Sequence, residues 1–340
     1  MNPPPIFIVG APRSGTTLLR QMLNRHPGIA ICGETHFLEI ACQERRRRAF
    51  GDLSDAGNRE RLIKSYLSTR RAHKQLQMDL VKLAERLRRE GTGYREMFAS
   101  ILTCYAESTG KHRCGEKTPR HSLFVETLCD WFPGALILHI LRDPRDVVAS
   151  LRHVPFGSPS AVLNARMWLQ FNLAARRISH RPEYLEVRYE TLIAQPEDEL
   201  RRICRFIGEE YSPAQLMPER AEVKDSAAMD RFLTPLTSSR VGVWRQQLTP
   251  AEAAQIEWAL RGQLEAFGYK PEMPAASAMT ILRGAGFAAF DIARMALQRF
   301  PALWYDYLAP GDLVQYERWR YPQETGARVR TRSEAKSIQA

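Results

Sequence analysis

The sequence has few cysteines and lacks the segments that mark export or membrane insertion. Its six cysteines form no C-x-x-C pair and no zinc-ligand spacing, which predicts scattered reduced thiols. The first residues, Met1-Asn2-Pro3-Pro4-Pro5, lack the basic and apolar regions of a signal peptide. Charges such as Arg283, Asp291 and Arg294 interrupt the longer apolar stretches, so we expect no transmembrane helix. These absences predict a cytoplasmic protein.

Acidic residues are outnumbered in this chain. Lys and Arg total 49 against 38 Asp and Glu, which gives a net charge of +11. The basic residues are spread along the chain without a nucleic-acid-binding motif, so we expect no nucleic acid partner. The charge suits an anionic cosubstrate, an anionic acceptor or an acidic membrane surface. A hydrophobic content of 44% over 340 residues excludes wholesale disorder and allows one large domain with additions, or two modest ones.

A glycine-rich turn near the start resembles a phosphate-binding loop that lacks its lysine. An apolar strand, Ile6–Val9, runs into this turn, and the turn opens a helix. Gly10 and Gly15 have the spacing of the pattern G-x-x-x-x-G-K-[ST], but Thr16 occupies the lysine position. Such a loop is poorly suited to ATP with Mg²⁺, and Arg13 with nearby hydroxyls better suits a 5′-phosphate with another leaving group. The alternative is an ordinary strand–turn–helix whose glycines only satisfy the backbone.

The stretch Pro12-Arg13-Ser14-Gly15-Thr16-Thr17 resembles the 5′-phosphosulfate loop of sulfotransferases that use 3′-phosphoadenosine 5′-phosphosulfate (PAPS). The resemblance implies that this loop holds the 5′-phosphate of PAPS. The residues it assigns to that phosphate are Arg13, Ser14, Gly15, Thr16 and Thr17.

A second motif lies at the end of another apolar strand, in Leu141-Arg142-Asp143-Pro144-Arg145-Asp146-Val147-Val148-Ala149-Ser150. Arg142 at the strand end and Ser150 two turns along the next helix could both reach one phosphate. The motif resembles the 3′-phosphate site of the same family and follows the first loop in the expected order. It departs from the family at position 154, where Val154 replaces a common basic residue and Arg152 is the nearest candidate.

A carboxylate follows the second predicted strand, in Cys32-Gly33-Glu34-Thr35-His36. Sulfuryl transfer needs a base that removes the proton of the acceptor hydroxyl. Glu34 matches the place of the base in tyrosylprotein sulfotransferases and related bacterial enzymes. His36 is the rival base, and a helix-capping role for Glu34 is the structural alternative.

Lys117 precedes a helix-starting Thr-Pro pair, and the resemblance implies that it contacts the sulfate, where it could neutralise charge on the bridging oxygen. Its flanking residues differ from the family's pattern. The resemblance further implies that Tyr189 lies near the adenine and that Ser239 and Arg240 belong to a loop that closes over the nucleotide. Tyr189 could equally be a half-buried sheet residue.

Further strands are predicted at Ile29–Cys32, Ala135–Leu141 and Tyr184–Tyr189, and Asp143 can cap the helix that follows the second of these. Strands alternate with helices along the chain, which predicts an α/β fold with a P-loop-type, doubly wound parallel sheet flanked by helices.

We expect a sulfotransferase domain over 1–272. Within it, 43–92 is a predicted helical insertion, where Leu76, Leu80, Leu83 and Leu87 mark one face of an amphipathic helix. Residues 273–340 form a predicted C-terminal helical extension with a frayed tail. The extension either packs on the main domain or makes peripheral membrane contact.

Together the motifs predict a sulfotransferase that transfers a sulfuryl group in line from PAPS to an acceptor hydroxyl, with no metal. Glu34 acts as the base, and Lys117 and Arg13 stabilise charge. The acceptor could be a glycan, a lipid, a small molecule or a peptide tyrosine, and the oligomeric state stays open. The alternatives are an ATP-dependent small-molecule kinase, which calls for Lys at position 16 and Mg²⁺ ligands, and a non-catalytic nucleotide-binding scaffold.

Overall fold

A parallel sheet forms the centre of the protein in the computed structural model, which describes residues 3–154, 156–216 and 240–314. Among these residues the strands are β1 (Ile6–Val9), β2 (Ile29–Cys32), β3 (Arg113–Lys117), β4 (Leu136–Leu141) and β5 (Tyr184–Arg188). They lie in the order β2-β3-β1-β4-β5, and every neighbouring pair is parallel. All five strands therefore end at the same edge of the sheet.

Helices connect the strands and cover the sheet. Before β3 they are α1 (Thr16–Asn24), α2 (Phe37–Ala41), α3 (Glu44–Phe50), α4 (Ala56–Leu67), α5 (Arg70–Leu76), α6 (Leu80–Glu90) and α7 (Tyr94–Ser108). After β3 they are α8 (Val125–Trp131), α9 (Pro144–Leu151), α10 (Ala161–Arg176), α11 (Tyr189–Ala194), α12 (Pro196–Ile207), α13 (Trp244–Gln247), α14 (Pro250–Ala259) and α15 (Ala278–Leu308). Short 3₁₀ helices occupy Pro119–Phe124, Pro213–Leu216 and Glu265–Phe267.

Both faces of the sheet are buried, which is why its central strands are nearly continuous apolar runs. On one face Phe7 of β1 stacks on Phe98 of α7, with ring centroids 5.9 Å apart. On the other face Ile6 and Ile8 pack with α1 and α12. The predicted parallel sheet flanked by helices is confirmed.

The sequence pattern predicts β1, β2, β4 and β5 but not β3. The strand reads Arg-Cys-Gly-Glu-Lys, and charged residues with a glycine do not have the apolar pattern of a central strand. All five residues are nevertheless buried, because β3 lies between β2 and β1. Its charged side chains must therefore find partners inside the protein.

Helices α3 to α6 occupy the predicted insertion, but the leucine pattern there does not belong to one helix. Leu76 ends α5, and Gln77 then adopts a left-handed conformation with φ of 50°. Asp79 caps α6 by accepting hydrogen bonds from the backbone N–H groups of Val81 and Lys82, so the helix begins at Leu80. The prediction of a single amphipathic helix through Leu76 was wrong because a cap restarts the chain between the leucines.

Helix α15 lies within the predicted C-terminal extension and packs against α10 and α14. The predicted frayed tail lies outside the described residues. A search of the described helices for one of sufficient length and apolar character to cross a bilayer finds none.

Candidate active site

One residue from the predicted motifs lies at or just after the carboxyl end of each strand. Gly10 follows β1, Glu34 follows β2, Lys117 ends β3, Arg142 follows β4 and Tyr189 follows β5. Adjacent strands are about 4.8 Å apart, so this convergence is a direct result of the strand order.

The turn after β1 is shaped by residues with positive φ: Gly10 at 146°, Arg13 at 74° and Gly15 at 103°. A Cβ at Gly10 would lie 2.4 Å from the carbonyl oxygen of Ile140, so only glycine fits there. The Gly10 N–H donates a 2.8 Å hydrogen bond to Ser122 Oγ, which holds the turn in place.

Helix α1 begins at Thr16, and its N-cap residue, Gly15, has no side chain that could cap the helix. Its first N–H groups, including that of Thr17, thus have no intrahelical acceptor. The Oγ of Ser14 is buried and has no hydrogen-bond partner among the described residues. Together with the helix dipole, these donors form a site that fits an anion.

Three arginines gather beside this turn. Arg13 Nε donates a 3.0 Å hydrogen bond to Ser150 Oγ, although 137 positions separate the two residues. Arg142 donates to the carbonyl oxygens of Arg13 at 3.2 Å and of Arg240 at 2.5 Å, and its buried Nε has no partner among the described residues. Burial, and then the charges of Arg142 and Arg240, lower the pKa of Arg13 to about 10. Like charges gathered in this way are suited to an anionic group with several oxygens.

Tyr189 is a buried part of the same cluster rather than a half-buried sheet residue. It begins α11, and the guanidinium carbon of Arg142 lies 4.4 Å from the centre of its ring. A Cβ at Gly15 would lie 2.5 Å from the ring, so the turn packs directly on it. Tyr189 therefore orients Arg142 through a cation–π contact.

Asp146 holds the segment that carries Arg240 in place, a role that its position in the sequence does not reveal. Its carboxylate is fully buried and accepts hydrogen bonds from the backbone N–H groups of Gly242 at 2.8 Å and Trp244 at 2.9 Å. Arg142 lies 3.7 Å from the same carboxylate. Ser239, the remaining predicted nucleotide contact, lies outside the described residues.

A second charged cluster lies at the ends of β2 and β3. Lys117 Nζ donates a 2.5 Å hydrogen bond to Glu34 Oε1, and His36 Nε2 lies 3.3 Å from Glu34 Oε2. The Lys117 side chain is 5% exposed and the Glu34 side chain 29%, so the carboxylate faces the open side. Burial would raise the pKa of Glu34, but Lys117 and His36 hold it well below its usual range.

His36 is placed between two carboxylates. Its Nδ1 lies 2.5 Å from Glu39 Oε1, and Arg120 lies 3.1 Å from the other oxygen of Glu39. Burial, and to a smaller extent the charge of Arg71, would lower the pKa of His36. Hydrogen bonds to Glu34 and Glu39 outweigh both effects and raise the pKa to about 9. His36 is therefore a cation at neutral pH, and Glu39 is a partner that its sequence context does not reveal.

Glu116 fixes the two halves of this cluster relative to each other. Its carboxylate accepts 3.0 Å hydrogen bonds from both the backbone N–H and the Oγ1 of Thr35. It also accepts one from Thr118 Oγ1 and lies 3.1 Å from His121 Nδ1. The sequence does not reveal this role of Glu116, because the charged segment does not have the pattern of a strand and the pairing of Glu116 with Cys32 exists only in the folded sheet.

Comparison with known proteins agrees with this geometry. The model of the sulfotransferase family matches residues 4–213. Among curated relatives, the chain is 27% identical over 280 residues to the nodulation protein NoeE of Sinorhizobium fredii, covering 74% of this chain and 62% of that protein. It is 28% identical over 272 residues to the ω-hydroxy-β-dihydromenaquinone-9 sulfotransferase Stf3 of Mycobacterium bovis, covering 66% and 69%.

A further relative is the protein-tyrosine sulfotransferase of Drosophila melanogaster, 25% identical over 289 residues, covering 79% of this chain and 52% of that protein. The chain thus spans about half to two thirds of the length of these three relatives. Among solved structures, the sulfotransferase domain of the Synechococcus PCC 7002 olefin synthase has the same fold. Its TM-score is 0.56 at 22% identity, over 80% of this chain and 96% of that domain.

The family match covers more than half of the chain and includes both the turn after β1 and the motif after β4. The chain belongs to the sulfotransferase family.

Proposed function

We propose that the protein transfers a sulfuryl group from PAPS to the hydroxyl of an acceptor. The observation that carries the proposal is the pairing of two anion sites at one sheet edge. One is the N-terminus of α1 with the hydroxyl of Ser14, which has no partner among the described residues, and the other is the Arg142–Arg13–Ser150 cluster. PAPS carries a 5′-phosphosulfate and a 3′-phosphate, so it needs two such sites. Tyr189 and the Arg240 segment border the second.

Fixed cations supply the electrostatic part of the reaction. The donor provides an activated sulfuryl group whose bond to the phosphate oxygen breaks as the bond to the acceptor oxygen forms. Arg13 and Lys117 are positioned to stabilise the charge that builds on the departing phosphate and on the sulfuryl oxygens. For this role Lys117 must turn from Glu34 towards the sulfuryl group, which frees one oxygen of Glu34 for the acceptor hydroxyl.

Glu34 is the better candidate for the base than His36. A base needs an unprotonated atom at working pH. The pKa of Glu34 is held well below its usual range, so it is a carboxylate at neutral pH. The pKa of His36 is raised to about 9, so at neutral pH both of its nitrogens carry protons. His36 then acts as a donor that orients Glu34.

The acceptor class that the relatives support is a hydroxyl. Their names denote a protein tyrosine in one case and an ω-hydroxylated dihydromenaquinone in another. The first is a phenol and the second carries its hydroxyl at the end of an isoprenoid chain. A base, two cations and a donor site could sulfate either kind of hydroxyl. The choice of acceptor would therefore depend on residues outside this set of catalytic and donor-binding residues.

Isothermal titration with 3′,5′-adenosine bisphosphate, which is PAPS without its sulfuryl group, tests the donor site. We expect binding that chelator does not alter and that Arg142→Ala weakens about a hundredfold, because a charge-assisted contact is lost. Arg201→Ala, which removes an exposed arginine of α12 paired with Glu197, is the matched control. Binding of ATP with Mg²⁺ but not of the bisphosphate would reject the proposal in favour of a kinase.

Glu34→Gln tests the base and separates an enzyme from a nucleotide-binding scaffold. We expect PAPS turnover to fall by about 10²–10⁴, the usual contribution of a general base, with bisphosphate affinity unchanged. His36→Gln should reduce turnover less, since it removes only an orienting donor. Full activity in Glu34→Gln would contradict the assignment, and activity lost only in His36→Gln would make His36 the base.

A further inference from the structure

Helix α15 packs on the protein through its small and polar residues. A Cβ at Gly284 would lie 2.9 Å from Gln255 Cδ of α14, so the helices approach closely at that glycine. Ala288, one turn on, is buried. Asp291 is also buried, where it accepts hydrogen bonds from Ser158 and from Arg294 of its own helix. Positions 284, 288 and 291 lie on one helical face.

Large apolar residues in the first half of α15 lie away from this packed face. Leu282 is 69% exposed, Phe290 65% and Met279 58%, and Phe287 beside them is also exposed. The usual arrangement of a surface helix is reversed, because large apolar side chains normally face the core. Packing among the described residues does not explain them, since the buried face of the helix consists of other residues.

Contacts beyond the helix keep this face outward. After α15 the chain returns to the helical insertion, where Ser65 Oγ of α4 donates a 2.7 Å hydrogen bond to the Gly311 carbonyl. The Leu313 N–H donates to Ser65 Oγ at 3.1 Å, and the Leu313 side chain is buried in the core. The helix is thus held at α10 and α14 and again, past its C-terminus, at α4. Its apolar face can reach a partner only by lying flat against it.

The distribution of charged residues around this apolar face indicates which kind of partner it fits. Between Ala278 and Arg294 the single acidic residue is Asp291, which is buried on the packed face. Arg283 is exposed next to Phe287 and Phe290 in the helical projection. If a second copy of the protein docked through this face, the two Arg283 side chains would face like charge, and neither copy would offer a carboxylate to pair with them. An anionic lipid surface complements both the apolar side chains and the arginine, and the net charge of +11 adds long-range attraction.

We propose that the exposed face of α15, formed by Met279, Leu282, Arg283, Phe287 and Phe290, is a docking surface for an anionic membrane. The helix lies in the plane of the bilayer interface, with its aromatic and aliphatic side chains among the acyl chains and Arg283 at the headgroups. This surface is separate from the donor site and does not depend on the acceptor.

Flotation of the full chain with vesicles of phosphatidylcholine and phosphatidylglycerol in equal parts tests the proposal. We expect binding that Leu282→Ser with Phe290→Ser weakens about a hundredfold, because two buried apolar side chains are lost. Arg283→Gln should weaken binding about fivefold on these vesicles and leave binding to pure phosphatidylcholine unchanged. Val81→Ser with Leu173→Ser, which removes two exposed apolar residues of α6 and α10, is the matched control and should bind as the wild type does.

Three results would overturn the proposal. The full chain could fail to float with anionic vesicles, or the Leu282 and Phe290 variant could bind as the wild type does. Sedimentation could also show a dimer that this variant dissociates, which would make the face an interface between copies. Bisphosphate titration of the variant provides the folding control, since its two sites are exposed and lie outside the donor site.

Discussion

His36 is a histidine whose charge depends on two carboxylates, and this gives it a defined pH response. Hydrogen bonds to Glu34 and Glu39 raise its pKa from 6.5 to about 9 against the opposing effects of burial and Arg71. A group whose pKa is raised on folding stabilises the protein fully below its unfolded pKa and loses that contribution as pH rises through the folded one. The cluster therefore stabilises the fold at pH 6.5 and loses this stabilisation by about pH 9.

We expect Glu39→Gln to lower the pKa of His36, because the variant replaces a charged acceptor by a neutral one. The measurement is the NMR titration of the His36 ring, with a midpoint near 9 in the wild type and a lower one in the variant. The wild type should also lose free energy of unfolding between pH 6.5 and 9, at most about 1.4 kcal/mol per pH unit. Glu44→Gln, at an exposed position of α3, is the control, and equal midpoints in wild type and Glu39→Gln would contradict the assignment.

At the scale of elements, the turn between β1 and α1 depends on a ring packed against a glycine. Gly15 has a φ of 103°, and any side chain there would meet Tyr189. The turn, α11 and the Arg142 guanidinium thus form one packed unit. Donor binding and local stability should respond together to a change at this position.

Gly15→Ala should abolish bisphosphate binding and lower the free energy of unfolding by about 3 kcal/mol, because both the backbone and the ring must shift. Gly110→Ala separates the two effects. Gly110 has a similarly positive φ of 68°, but a Cβ there would meet nothing within 4 Å. It should cost only about 1 kcal/mol in chemical denaturation and leave binding intact. Equal losses in both variants would show that backbone strain alone is responsible.

At the scale of the whole molecule, the helical insertion supports the candidate base. Tyr66 of α4 donates a 3.1 Å hydrogen bond to the carbonyl of Thr35, the residue between Glu34 and His36. Gln75 of α5 accepts a 3.4 Å hydrogen bond from the Glu34 N–H. The insertion therefore contacts the acceptor side of the proposed site, while the arginine cluster forms the donor side.

Tyr66→Phe should separate these two sides. We expect turnover to fall threefold to about tenfold, the effect of one hydrogen bond on the placement of Glu34, with bisphosphate affinity unchanged. Steady-state kinetics with titration of the bisphosphate measure both quantities. Tyr105→Phe, which removes a hydroxyl of α7 that accepts from Arg20, is the control. A matching loss of bisphosphate affinity in Tyr66→Phe would place the insertion at the donor site instead.

Local patterns in the sequence determined the turn after β1, the helix capped by Asp143 after β4, four of the five strands and the family. These features depend on neighbours along the chain. Apolar runs predict buried strands, and Asp143 accepts a hydrogen bond from the Arg145 N–H two residues on. Arg13 and Arg142 were found in this way, since each lies in a segment that follows an apolar strand.

Only the tertiary structure decided which side chains meet. The bond from Arg13 to Ser150 exists because β1 and β4 are neighbours in the sheet, and no local signal encodes that order. The charged strand β3 is stable because Glu116 accepts a hydrogen bond from Thr35 and Lys117 donates one to Glu34, both residues that are distant in the sequence. The same holds for α15, where the sequence shows a long apolar helix but the fold decides which face is buried. Burial decides whether a charge must be paired and which face of a helix is covered, and burial depends on how the whole chain folds.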